Sequence, residues 1–490
     1  MKRSYIIALL LSTTFVACKK YLDVSPVSSI TVSNFFKTEN DVEGALNGAY
    51  VRLRSLADLD LFIWGEARSE MMTNSVTGTL GYEKYYNNTL TKSNAGPDWG
   101  GIYATINSAN LVIKYTPSIS FSSDDKKNDA LAQAYTMRAF LYFLLARTWG
   151  GVPLRLEPTE SYDPATIQMA RSSEADVFKQ IKDDLAQAIK LFPDNSFPAG
   201  RDKWSKPAAN ALKGDVYLWT AKRLNGGNSD LTEALSALQQ VQTADVMLLP
   251  NYADIFKYSN KGNKEIIMAI HFDLNESSNQ TFAYNMYAST TSFPSYVPQS
   301  QRDSVGVPMP GGNGNVWSVS SVVRSQFTED DKRKAATYIE MKGASPGQYY
   351  TNYGLKSSGT VSNGLRYLAS DYILYRYADV LLMIAEAKNA LGQDPSTQIN
   401  LVRQRAYGAN FSSHVFVSGT KEANDSAILQ ERLFEFALEG KRWWDLVRFG
   451  KAFELVPSLV GKESNPGLLY WPVGLSLTTR EPLVTETEGW

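Results

Sequence analysis

Cysteine is almost missing from this chain: Cys18 is the only one in 490 residues, which excludes an intrachain disulfide framework. Histidine is nearly as scarce. His271 and His414 are too few for a zinc site or a Ser-His-Asp machine, and each reads as an ordinary polar or packed histidine. No metal and no cofactor is expected. Neither sign of charge prevails, with 49 basic and 50 acidic residues and a net charge of −1, so nothing favours nucleic acid or an anionic membrane surface as a partner. What the chain does have is aromatic surface: 27 Tyr, 21 Phe and 10 Trp. Rings beyond the needs of a core serve recognition, because they offer large contact area with few rotors to freeze. Carbohydrate suits such surfaces, since a sugar packs its C–H face on a ring while its hydroxyls seek hydrogen bonds. Hydrophobic content of 43% fits a well-cored globular protein.

The amino terminus reads as an address. Lys2 and Arg3 precede the apolar run Tyr5 to Leu11, and small polar residues lead to Phe15-Val16-Ala17-Cys18. The pattern predicts an export signal over residues 1–17, with an apolar run too short to be a permanent span. The final tetrad resembles a bacterial lipobox, with Phe15 where leucine is usual, which makes Cys18 the expected lipidation site. Several acyl chains anchor stably where one does not. Lys19 to Ser29 then reads as a tether.

Helical periodicity recurs through the body. Asp41 to Ser55, Trp99 to Ile113, Ala130 to Thr148, Glu174 to Leu191, Pro207 to Leu224 and Leu231 to Val241 carry it, and later Tyr372 to Leu391 and Ser396 to Ala406. Ala139 to Ala146 (AFLYFLLA) is apolar nearly all round, the mark of a buried helix. Gly214-x-x-Tyr217 followed by Ala234 and Leu238 echoes the tetratricopeptide pattern, in which small residues let paired helices approach. The reading is a mostly α fold: a helical repeat scaffold over about 30–250 and 371–450, within a single domain spanning 18–490.

Two tracts break the pattern, about 59–101 and 250–370. Both mix aromatics with Asn, Thr, Gly and Ser, and the second holds strand-like Glu265 to Ile270 and the run Pro310 to Asn315. Long irregular tracts in a compact helical protein tend to carry function.

The densest chemistry lies at Ile428 to Gly450, ILQERLFEFALEGKRWWDLVRFG. Asp425 is positioned to N-cap a helix, Gly440 to stop it, and a second short helix carries Trp443 and Trp444. Glu431, Glu435 and Glu439 are spaced four apart, with Cβ atoms about 5–6 Å apart, close to the about 5–5.5 Å carboxyl separation of retaining glycosidases. The alternative is an ion-pair lattice with Arg432, Arg442 and Arg448. Without a histidine, metal or oxyanion partner, the block reads as scaffold rather than active site.

Cys18, AYTMRAFLYFLLARTWGGVPL (134–154), YRYADVLLMIAEAKN (375–389) and ERLFEFALEGKRWWDLVRFG (431–450) occur in this order. Together they resemble the SusD/RagB family of outer-membrane nutrient-binding lipoproteins. The closing segment departs, running from Trp471-Pro472 to LVTETEGW where an Asn-Pro-rich stretch is usual. The resemblance implies tetratricopeptide-like units beside an irregular ligand-binding half. It implies lipid anchoring to the outer membrane, facing the cell surface. It also implies capture of an oligosaccharide without cleavage, and delivery to a SusC-like TonB-dependent transporter. On that basis the ligand-binding candidates are Trp64, Arg68, Asn74, Tyr82, Trp99, Tyr296 and Trp317. A lipoprotein glycoside hydrolase using Glu431 and Glu435, or a protein-binding helical adaptor, are the competing readings.

Overall fold

A computed structural model describes residues 35–490, apart from 79, 161–162, 164–166, 279, 288–292 and 311–313. The signal segment, Cys18 and the tether lie outside the described residues, as does the centre of the 310–315 run. The body is mostly α. Its first helices are α1 (Glu39–Ala57), a short α2 (Asp60–Gly65), α3 (Gly100–Tyr115) and α4 (Asp124–Trp149). Next come α5 (Glu174–Leu191), α6 (Lys206–Arg223) and α7 (Gly227–Val241). After the second loop tract follow α8 (Tyr377–Ala390), α9 (Ser396–Tyr407), α10 (Lys421–Phe436), α11 (Arg442–Arg448) and α12 (Leu475–Arg480). Antiparallel neighbours pair as α1 with α3, α4 with α5, α6 with α7, and α8 with α9 and α10.

Sequence sets these pairings locally. Thr38 and Asp41 form a reciprocal capping box at the start of α1, the Asp41 carboxylate accepting from the Thr38 amide at 2.7 Å. In the α6/α7 pair, a Cβ on Gly214 would sit 2.4 Å from Leu238. Only glycine permits that approach, as the tetratricopeptide pattern implies. The AFLYFLLA stretch of α4 is buried on every side. No helix among the described residues is long and apolar enough to cross a membrane. Arg138, at the start of that stretch, forks onto Asp184 of α5 with bonds of 2.8 and 2.7 Å.

The helix expected over Tyr372 to Leu391 divides in two. Tyr372–Arg376 is a strand, β8, paired antiparallel with β2 (Ile266–Ile270), and the helix begins at Tyr377. Tyr372-Ile-Leu-Tyr-Arg is rich in β-branched and aromatic residues and finds its ladder partner a hundred residues upstream, so tertiary pairing overrides the helical period. The remaining strands are short: β1 (Met72–Asn74), β3 (Trp317–Val319), the hairpin β4 (Tyr338–Lys342) with β5 (Tyr349–Gly354), and the hairpin β6 (Thr360–Ser362) with β7 (Leu365–Tyr367).

The 428–450 block is largely buried and its charged side chains are ion-paired. Its helix starts earlier than expected: Thr420 is the N-cap, its hydroxyl accepting from the Ala423 amide, and Asp425 lies a turn inside, bonded to Asn389. The helix ends at Phe436, and Gly440 (φ +71°) sits in the link to α11, where a Cβ would meet the Tyr372 hydroxyl at 2.1 Å. The ion-pair lattice is there with different partners. Arg432 pairs with Asp379 and Asp445, Arg442 with Glu70, and Arg448 with Glu386, Asp215 and Asp445. The glutamates take distant cations instead. Glu431 bonds Arg333 and Arg403, Glu435 bonds Arg333, Arg376 and Arg405, and Glu439 bonds Arg376 and Lys356. Burial raises the Glu435 carboxyl, but Arg405 and Arg376 outweigh it and hold the group well below the usual carboxylate range. Glu431 and Glu435 are 1% and 0% exposed and each is tied to at least two cations, so neither carboxyl is presented to a substrate as the hydrolase reading requires. The lattice also fastens the second loop tract, through Arg333, Lys356 and Glu265, to the helical scaffold.

Candidate functional site

The two irregular tracts form one surface, with Ser75 of the first bonded to Asn315 of the second across 240 residues of sequence. β1 pairs with β3 in antiparallel register, Asn74 opposite Trp317. Just beyond, the Ser75 hydroxyl meets the Thr351 hydroxyl at 2.6 Å and donates to the Asn315 side chain. The Asn352 amide clamps β3 to the β4/β5 hairpin by bonding both the amide and the carbonyl of Val319, each at 2.9 Å. These amide and hydroxyl side chains stitch together strands too short to stand alone.

Beside this junction lies an open cleft of about 390 Å³, walled by residues 82–98 on one side and Val473–Leu477 on the other. Its near wall is a tight turn in which the Asn94 amide donates to Thr91 at 3.0 Å. Gly474 (φ +90°) brings the far wall in, since a Cβ there would stand 3.0 Å from that of Ala95. The Leu475 amide then donates to Lys92 at 2.8 Å and ties the walls together. Asp98 holds one end: it caps Gly100 at 2.8 Å and accepts from Arg480 at 2.5 Å.

The lining suits an amphiphilic ligand. Leu59, Ile63, Tyr85, Val473 and Leu477 supply apolar surface. Tyr82 presents a half-buried ring, edge-packed on Trp317 with centroids 4.6 Å apart. Lys84 is steered by a 2.6 Å bond to the Asn94 side-chain oxygen, and partial burial lowers its pKa. The Tyr82 hydroxyl, the Lys92 ammonium, the Asn94 side-chain nitrogen and the Ser476 hydroxyl carry no hydrogen-bond partner among the described residues. Near one end stands Asp60, at the first position of α2. Burial, then the charges of Asp58 and Asp98, push its carboxyl up to about 7. No cluster among the described residues has the makings of a metal site.

Of the seven sequence candidates, the structure brings one into this cleft, Tyr82. Asn74 is exposed at the end of β1, and Tyr296, 37% exposed, stands outside the cleft. The others are core. Trp64, Trp99 and Trp317 are 0%, 1% and 2% exposed and offer no face to a ligand. Trp64 and Trp99 both pack edge-on against Trp149, and Trp317 stacks on Phe62. Arg68 is likewise buried. It donates to the Asn88 side chain and to the carbonyls of Tyr470 and Leu468, beneath the faces of Trp443 and Trp471, and burial pushes it down to about 9. It pins the carboxyl-terminal stretch rather than a ligand. Lys84, Lys92, Asn94 and Ser476 escaped the sequence reading. The turn-rich SNAGPD (93–98) was the available signal for the near wall, but nothing local marked the far wall some 380 residues away.

Comparison with known proteins places this architecture. Residues 20–218 match a family model described as "Starch-binding associating with outer membrane", and residues 313–465 match the model of the SusD family. A SusD-like protein of Formosa agariphila is 29% identical over 489 residues, spanning 93% of this chain and 92% of that one. Among solved structures, B. fragilis NanU superposes with a TM-score of 0.84 at 33% identity, covering 95% of this chain and 99% of that chain. A laminarin binding SusD-like protein shares the fold, with a TM-score of 0.74 at 22% identity, covering 93% and 100%.

Proposed function

Given that the chain belongs to the SusD/RagB family, we propose that it is a cell-surface lipoprotein that binds an oligosaccharide and hands it, uncleaved, to a SusC-like TonB-dependent transporter of the outer membrane. The observation that carries the reading is the cleft itself. An apolar floor with the Tyr82 ring matches the C–H face of a sugar, and the unspent hydroxyl, amide and ammonium groups around it match its hydroxyls. A volume of about 390 Å³ is in the range of small-molecule sites. The family description of starch binding and the laminarin-binding relative lend it support. The anchor rests on the lipobox-like Phe15 to Cys18.

The test is a glycan array followed by calorimetry on the full chain in detergent. Binding to at least one oligosaccharide, weakened tenfold or more by Tyr82→Ala, is expected. Failure to bind any glycan, together with normal growth of a deletion strain on glycans, overturns the reading. Incorporation of labelled palmitate that is lost in Cys18→Ala tests the anchor, and co-purification of a TonB-dependent transporter tests the partner.

A further inference from the structure

A second groove opens at the other end of α12. The first cleft meets Leu475, Ser476 and Leu477 at the start of this helix, whereas the second is bordered by Arg480 and Glu481 at its finish. Six residues at a rise of about 1.5 Å put the two ends about 9 Å apart. The second groove has the same volume, about 390 Å³. It lies over α3, with Tyr103, Asn107, Thr159, Arg155 and Gln168 among its walls.

Its walls are fixed before any ligand arrives. The Asn107 side-chain oxygen accepts from the Thr159 amide at 2.7 Å, the Asn110 amide donates to the Arg155 carbonyl at 2.9 Å, and the Tyr103 hydroxyl donates to the Pro153 carbonyl at 2.7 Å. Such pre-organisation lowers the entropic cost of binding. Its cations are already spent. Arg155 pairs with Glu481 at 3.0 Å, and Arg480 pairs with Asp98 at 2.5 Å across the rim shared with the first cleft. Exposed Glu157 adds an unfavourable field for anions. What remains unspent is neutral: the Asn107 amide nitrogen, the Gln168 amide and the Thr159 hydroxyl have no partner among the described residues. Neutral donors and acceptors beside a half-buried tyrosine ring select an uncharged, hydroxyl-rich ring.

We infer that this groove is a second sugar subsite, and that one oligosaccharide lies across the Asp98–Arg480 pair with its ends in the two clefts. The inference rests on the glycan-binding reading above and adds chain length to it: a monosaccharide reaches one cleft only, whereas a longer oligomer engages both.

The experiment uses the full chain in detergent and titrates homologous oligosaccharide series, dimer to octamer, chosen from array positives. Affinity climbs with length until both clefts are filled. Ala104→Trp, which fills the second groove, is expected to weaken the long members at least tenfold and leave the shortest bound member unchanged. Gln168→Ala, on a side chain free of internal bonds, gives a smaller loss of about threefold with the same length dependence, and carries the test should Ala104→Trp fail to fold. Affinity independent of length, or variants that lose short and long members equally at unchanged Tm, overturns the second subsite while leaving glycan binding standing. An array on which nothing binds removes both.

Discussion

The lattice around α10 and α11 and the cleft beside β1 and β3 make opposite uses of polar residues. In the lattice every glutamate of the 431–439 run is buried and tied to at least two cations. In the cleft, polar groups are fewer and several have no partner among the described residues. Charge density in a sequence therefore marks where the chain holds itself together, whereas capacity to bind something else resides in groups left unsatisfied.

Breaking the lattice should have the largest effect. Arg376→Met strands Glu265, Glu435 and Glu439 without one of their guanidinium partners. Removing one member of a buried pair costs about 3–5 kcal/mol, so denaturant unfolding should show a loss of that order, while molecules that remain folded keep their glycan affinity. A selective loss of affinity at unchanged stability would place the lattice in the site and erase the contrast.

Two adjoining rings sharpen it next. Trp317 is core and Tyr82 lies on the cleft side of the same contact. Trp317→Ala should cost about 3–5 kcal/mol of stability, and Tyr82→Ala should cost far less while weakening glycan binding tenfold or more. The reverse assignment, stability lost with Tyr82 and affinity alone lost with Trp317, would show that the tryptophan reaches the ligand.

A third effect is smaller and depends on pH. Asp60 holds its proton up to about 7 in the folded protein, whereas an unfolded aspartate releases it near pH 4, about 3.9. Between these values the folded state binds more protons than the unfolded one, so stability falls as pH rises through that window. Asp60→Asn should flatten this slope in Tm against pH. A slope that persists unchanged assigns it to other groups.

The smallest effect concerns Lys92, whose ammonium is exposed and unpaired. Lys92→Ala should weaken binding a few-fold and leave Tm where it was, because the side chain has no internal bond to lose. A drop in Tm would mean that the cleft wall depends on it.

Much of the scaffold was legible. Glu174–Leu191 was bounded to the residue, and Gly214 opposite Leu238 was readable from the repeat pattern, because helix period and close glycine packing are written in short windows. Tyr372–Arg376 was misread because a strand depends on its partner, here Ile266–Ile270, more than on its own periodicity. The aromatic candidates fared worse for a related reason. Trp64, Trp99 and Trp317 are the same residue type whether they face a sugar or each other, and only packing tells the two apart.

By itself, then, the sequence determined the helical repeat frame and the lack of an intrachain disulfide, which depend on composition or on spacing within a few turns of chain, and its blocks at 134–154, 375–389 and 431–450 carried the family resemblance. The tertiary structure alone decided which ions pair and which walls face each other. Glu435 could not be assigned to Arg333, Arg376 and Arg405, nor Lys92 to Leu475, until the chain closed. Satisfaction of a polar group is a property of three-dimensional neighbours, and that is the property that separates scaffold from site here.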